Sequence, residues 1–269
     1  MRLFGIVTAC GFSALLSTAS YADVSAGIDF LNAGDVSAAA EEFAASYEAG
    51  EPEGAFYLGR LFELGLGTEQ DEMRAANLYS AAADAGSAKA QARLGLMYHE
   101  GRVLLRDYVE GTRLLCEAAD AGDADGLLNC GMAYQLGRGV AIDTAKATAL
   151  WEQSAAKNNV LAINLLGQTS LEGGDLSAAV GYFKQAADLG NAGGMYEYAK
   201  LLSVGSNPDL VQAYAYANLA VVRGLSEALE FRDNLEAQMT PEDILAGQGV
   251  ARAWTEERIL DESNGADGN

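Results

Sequence analysis

The sequence predicts an all-α protein, an α-solenoid of stacked antiparallel helix pairs. Three observations carry that expectation. The dipeptide Leu58-Gly59 returns as Leu94-Gly95, Cys130-Gly131 and Leu166-Gly167, each 36 residues after the last. A second glycine follows six residues on in every case: Gly65, Gly101, Gly137 and Gly173. Between these marks, small and apolar residues recur at i, i+3, i+4 and i+7, the spacing of a helix face. Half of the 269 residues are apolar and only 3 are Pro, so the chain can bury a core and few helices are interrupted.

Residues 1–22 read as a secretory signal peptide. Arg2 is the only charge, Leu3 to Leu16 is almost wholly apolar or small, and Ser20-Tyr21-Ala22 forms a small-x-small cleavage site before Asp23. The stretch is short for a membrane span, so no span is expected in the mature chain. A retained anchor or a buried helix is the competing reading. Val7-Thr8-Ala9-Cys10 also resembles a lipoprotein box, which would place a lipid on Cys10.

Residues 23–224 are the repeat region. Asp23 to Gly50 is a degenerate first unit, because Gly50 stands 36 residues before Gly86. In later units a small pair recurs (Ala82-Ala83, Ala118-Ala119, Ser154-Ala155, Ala186-Ala187), closed by Gly86, Gly122, Asn158, Gly190 and Gly224 at spacings of 36, 36, 32 and 34. The unit from Ala88 to Gly122 shows the internal plan. A first helix runs to Gly101, which can take positive φ at low cost. Asp107 caps a second helix, with Glu110 placed to complete a capping box, and Leu114, Leu115, Ala118 and Ala119 form its inner face. One such hairpin cannot cover its own apolar side. Several in a stack can, because each unit buries the face of its neighbour.

Residues 225–258 leave the repeat and are expected to cap the stack. Ala228 to Met239 has helical spacing. Thr240-Pro241-Glu242-Asp243 is a helix start, with Thr as N-cap, Pro in the first turn and acids where the helix dipole favours them. Residues 259–269 are expected to form a disordered acidic tail.

Taken together, the pattern Leu-Gly-x-x-Tyr-x-x-Gly at Leu94 to Gly101, the Gly-x-Gly-Val of Gly137 to Val140, Lys146-Ala147, Trp151 and the recurrent Ala-Ala-x-x-Gly ending resemble the Sel-one-like repeat, a relative of the tetratricopeptide repeat. The resemblance spans about Gly54 to Gly224, and Asn158 in place of a closing glycine departs from it. It implies a right-handed superhelix whose task is to hold other proteins, often in a bacterial envelope. It also implies a second function, since cysteine-rich relatives bind β-lactam-like compounds. Ligand binding or hydrolysis on cell-wall fragments therefore stands as an alternative, as does a secreted host-interaction factor.

Charge and residue counts narrow the chemistry. The chain has 17 basic and 38 acidic residues, a net charge of −21, which repels nucleic acid and anionic membranes. With 1 His, sites built on several imidazoles are excluded. His99 is expected as a surface residue. Gly65-Leu66-Gly67 and Gly137-Arg138-Gly139 follow no strand and lack the lysine of a phosphate loop. No catalytic constellation, metal site or cofactor site is expected, and the chain is read as a monomeric, non-enzymatic scaffold.

After Cys10 leaves with the signal, Cys116 and Cys130 remain, at nearly equal distances on either side of a turn near Asp123. Opposed positions on an antiparallel helix pair permit a bridge, provided the Cα atoms fall about 4.4–6.8 Å apart. Two buried thiols are the alternative, with Cys130 standing where Leu58 and Leu94 stand. For partner binding, first helices are expected to line the inner surface, presenting Tyr57, Arg60, Arg93, Met97, Asn129, Met132 and Gln168. Aromatic, Met and Arg side chains are enriched at interfaces.

Overall fold

A computed structural model describes residues 24–266. The expected signal segment, including Cys10, lies outside the described residues, as do 267–269. The described chain folds into helices α1 (Val24–Asn32), α2 (Val36–Glu48), α3 (Pro52–Leu64), α4 (Glu72–Asp84), α5 (Ala88–Glu100), α6 (Tyr108–Asp120) and α7 (Ala124–Leu136). These are followed by α8 (Thr144–Ala155), α9 (Val160–Glu172), α10 (Leu176–Asp188), α11 (Ala192–Leu202), α12 (Leu210–Val222), α13 (Glu227–Glu236) and α14 (Pro241–Ala266). Among the described residues there are no strands.

The stack is one-dimensional. From α1 to α13 each helix packs on its neighbours in sequence, α14 packs on α12, and no substantial contact reaches beyond the second neighbour. The buried apolar residues accordingly fall into five clusters, each built from consecutive helices. This is the energetic layout of a solenoid, in which each unit is stabilised by its own hairpin and by the units beside it.

The Leu-Gly dipeptides have a packing cause. A Cβ on Gly59 would lie 2.6 Å from the Tyr79 ring, one on Gly95 2.8 Å from Leu115, one on Gly131 2.5 Å from Trp151 and one on Gly167 2.8 Å from Phe183. Each glycine is the seat on a first helix for a large side chain from the second. Trp151 also donates its Nε1–H to the Leu128 carbonyl at 3.1 Å, so its one polar group is satisfied inside the core.

Caps repeat with the same register. The second helices α2, α4, α6, α8, α10 and α12 begin at Asp35, Asp71, Asp107, Asp143, Asp175 and Asp209, each accepting a backbone N–H of its first turn. First helices α5, α7, α9 and α11 begin likewise at Ser87, Asp123, Asn159 and Asn191. Each such cap contributes about 1 kcal/mol. The expected capping box at Asp107 is only half formed. The Asp107 N–H donates to the Tyr98 carbonyl (3.1 Å), and the Glu110 carboxylate turns to Arg113 instead (2.8 and 2.5 Å). Asn158 takes φ 61°, alone among described non-glycine residues in the left-handed region. It thus fills the backbone role of the closing glycines. In the loop between α9 and α10, Gly174 with φ 79° takes the left-handed turn, and Gly173 stays right-handed.

At the C-terminal end the expected start at Thr240 is present. Its Oγ1 accepts the Asp243 N–H at 3.2 Å and donates to the Asp243 carboxylate at 2.8 Å. α14 then runs through Ala266, past the boundary expected at Arg258, so residues 259–266 are helical where a disordered tail was anticipated.

Candidate functional site

The bridge between the two cysteines is present, with a Cα–Cα distance of 5.0 Å. Cys130 is 1% exposed. The bond ties α6 to α7 and therefore joins one helix pair to the next.

The first helices α3, α5, α7, α9 and α11 line one side of the stack as a continuous groove with three adjoining depressions. The first, about 420 Å³, is lined by Phe56, Tyr57, Arg60, Lys89, Ala92, Arg93, Leu96, Asp123 and Asp125. The second, also about 420 Å³, includes Leu96, His99, Glu100, Arg106, Tyr108, Asn129, Met132, Leu136 and Arg138. The third, about 680 Å³, is mainly apolar and includes Leu128, Leu161, Leu165, Phe183, Tyr196 and Leu225, with Asn129, Met132, Asn164, Gln168, Glu197 and Glu227. Leu96 is a shared wall of the first two, and Asn129 and Met132 of the last two.

Six of the seven expected inner-face residues therefore lie on this groove, but not together. Tyr57, Arg60 and Arg93 are in the first depression, Asn129 and Met132 border the second and third, and Gln168 is in the third. Met97 is a correction. It is 3% exposed and packs in the core with Leu94 and Leu114. On α5 the groove-facing stripe is Arg93, Leu96 and Glu100, and Met97 is turned about 100° from Leu96 toward the second helix. The repeat itself carried the signal, since Arg60, Leu96, Met132 and Gln168 are spaced by 36 residues.

Beneath the first depression lies an ionic cluster. Glu63 is 7% exposed and accepts from the Tyr79 hydroxyl (2.6 Å), Arg60 Nη1 (2.8 Å), Arg93 Nε (2.7 Å) and Arg93 Nη2. Burial pushes its carboxyl pKa up, but the hydrogen bonds from Arg93 and Tyr79 and the two guanidinium charges outweigh burial and hold it below the usual value. Burial and the Glu63 charge together push the Tyr79 phenol up. A carboxylate with its lone pairs committed to four donors is a poor general base. The cluster ties α3, α4 and α5 together, and its arrangement is structural.

His99 is not the surface residue expected. It is half-buried, stacks edge-on against Tyr108 (5.3 Å between centroids) and lies 2.9 Å through Nε2 from Thr112 Oγ1. Thr112 spends its hydroxyl proton on the Arg138 carbonyl at 2.7 Å. Its oxygen must then accept, so Nε2 carries the histidine proton. Burial lowers the His99 pKa, a backbone hydrogen bond at Tyr108 opposes this, and Arg138 lowers it further. The imidazole is thus a neutral prop for the loop bearing Arg138. Among the described residues, no three His, Cys, Asp or Glu side chains gather as metal ligands.

Comparison with known proteins places this geometry. The family model for the Sel1 repeat matches residues 52–87, 88–123, 124–159, 160–191 and 192–221, leaving the α1–α2 hairpin outside the matched units. A Sel1 repeat protein from Oxalobacter formigenes is similar at 22% identity, with a TM-score of 0.69 over 87% of this chain and 95% of that one. The protective antigen c5321 of uropathogenic Escherichia coli, described as having an SLR fold, is similar at 19% identity and TM-score 0.55, over 87% of this chain and 61% of its own. Immunity protein Pa5087 from Pseudomonas aeruginosa is similar at 20% identity and TM-score 0.51, over 71% and 75% of the two chains. At these identities the likeness is one of fold. No curated protein matches the chain.

Proposed function

The chain belongs to the Sel1 repeat family, and on that footing we propose that it is a non-catalytic scaffold of the bacterial envelope, holding another protein along its inner groove. The observation that carries this reading is the groove's continuity. Three depressions share walls across α3 to α11, and the largest, about 680 Å³, is mostly apolar at its surface. An open groove several units long, polar along α3 to α7 and apolar at its far depression, offers buried area and shape to a partner chain. The envelope location is supported by the pattern of residues 1–22 and by the Cys116–Cys130 bond, which persists in oxidising compartments. No described helix is long and apolar enough to cross a membrane.

Site-specific photo-crosslinking in cells tests the reading. A photoreactive side chain at Asn129 or Gln168, in the groove, yields discrete adducts. The same group at Val109 or Leu176, which are 68% and 59% exposed on second helices, yields none. Adducts from the outer positions alone, or from no position, overturn the docking role. Recovery of the chain in the cytoplasmic fraction overturns the location.

A further inference from the structure

We infer that the groove is built for an extended polypeptide segment carrying an acidic side chain beside an apolar one, the acid held between Arg106 and Arg138 and the apolar side chain in the depression formed by α7, α9 and α11. This rests on the docking reading above and specifies the partner's chemistry.

Acids outnumber bases 38 to 17 in this chain, so a guanidinium has many carboxylates to choose from. Arg60, Arg93, Arg102, Arg113 and Arg232 each have at least one. Arg74, Arg106, Arg138, Arg223, Arg252 and Arg258 form no ion pair among the described residues, and of these Arg106 and Arg138 are the two that line the groove's depressions. Their guanidinium carbons stand 5.8 and 5.6 Å from the centroid of the Tyr108 ring, and Arg106 Nη2 donates to the Glu100 carbonyl at 2.7 Å. The Arg138 backbone is fixed through Thr112 and His99. Two guanidiniums beside one aromatic ring, that of Arg106 anchored on the Glu100 carbonyl, present unspent donors to an incoming carboxylate. The −21 surface attracts basic segments everywhere without selecting a place. These arginines mark a point in the groove where a basic side chain is repelled and an acidic one is gained, which is how specificity is set.

The neighbouring walls fix what accompanies the acid. Asn129 and Met132 are common to the arginine depression and the apolar one, so adjacent side chains of one strand reach both. Leu96 opens the arginine depression on its other side toward α3. Because the groove continues in both directions, the carboxylate is an internal Asp or Glu, not a chain end.

The test is selection from a random pool of peptides blocked at both ends, retained on the immobilised full chain and sequenced by mass spectrometry. Retained peptides are expected to be enriched at least about fivefold in Asp or Glu next to Leu, Met or Phe, and the enrichment is lost with the Arg106→Gln/Arg138→Gln pair, as a charge-assisted contact requires. Both arginines are exposed, and unchanged helical circular dichroism confirms the fold of that variant. Arg106→Lys/Arg138→Lys recovers part of the preference. Enrichment of Lys or Arg, equal enrichment on the glutamine variant, or no enrichment overturns the inference. So does a pool with free C-termini in which only terminal carboxylates select. If these fail while groove crosslinks persist, the docking role stands and the partner's chemistry is different. If the crosslinks fail as well, the docking role falls with it.

Discussion

Replacing Glu63 by Gln keeps the size of the side chain and removes one charge from the centre of the Tyr79–Arg60–Arg93 cluster. The carboxylate accepts from four donor atoms. An amide has one acceptor oxygen and would turn N–H groups toward guanidiniums. Arg60 and Arg93 are 39% and 26% exposed, so water recovers much of what they lose. Tyr79 is 0% exposed and recovers nothing. With charged hydrogen bonds contributing about 1.5–3 kcal/mol each and the arginine share discounted for exposure, E63Q is expected to cost about 2–4 kcal/mol at neutral pH. For a chain of this size that lowers the melting temperature by roughly 5–15 °C. Calorimetry across pH supplies the check. The Glu63 carboxyl is depressed on folding, so its contribution is complete above the unfolded value of 4.5 and is lost as pH falls through the lower folded value. The gap between wild type and E63Q should therefore close at low pH. A variant that melts with wild type at pH 7, or a gap that persists unchanged under acid, refutes the assignment of the cluster as the tie between α3, α4 and α5.

Further outcomes follow from the packing. The Cys116–Cys130 bond closes a short loop with a sequence separation of 14, and the double serine variant should lose about 3 kcal/mol in chemical denaturation. Intact mass under non-reducing conditions should lack two hydrogens relative to the reduced chain. Gly126→Ala should destabilise by about 1–3 kcal/mol, because the new methyl would lie 2.6–2.8 Å from Ala118 and Ala119. Gly181→Ala on α10 meets nothing within 4 Å and should stabilise by about 0.5–1 kcal/mol. Equal melting of the two alanine variants would contradict the close helix approach at Gly126.

The fold was legible because the forces that set it repeat. A glycine seat, a large side chain 20 residues on and a closing turn recur in three successive units, and any one of them placed on the sequence predicts the others. Asn158 illustrates how deep this goes: the residue that departs from the pattern adopts the backbone angle the pattern demands. The aspartate caps are equally available, from Asp35 through Asp209, each at the start of a second helix. Glu110, the companion of Asp107, failed as half of a capping box for a reason no local motif contains. The end of α5 had already taken the N–H it would have satisfied.

The groove was legible only in part, because a solenoid's inner face is defined by rotation about each helix axis as well as by register. Met97 has the chemistry of an interface residue, yet a one-residue error turned it from the groove into the core. Leu96, which has less to recommend it by type, stands in the 36-residue series with Arg60, Met132 and Gln168 and is the wall between two depressions. Register outweighs residue type there. For His99 neither could have served. Its neutral, propping role depends on Thr112 and Arg138, which lie 13 and 39 positions away in sequence and meet it only where α5 and α6 pack and the loop between α7 and α8 lies against them. Architecture in this chain is written in what repeats. On the docking role proposed above, selectivity would be carried by the side chains that differ between units at equivalent positions, among them the arginines of one depression beside the apolar wall of the next.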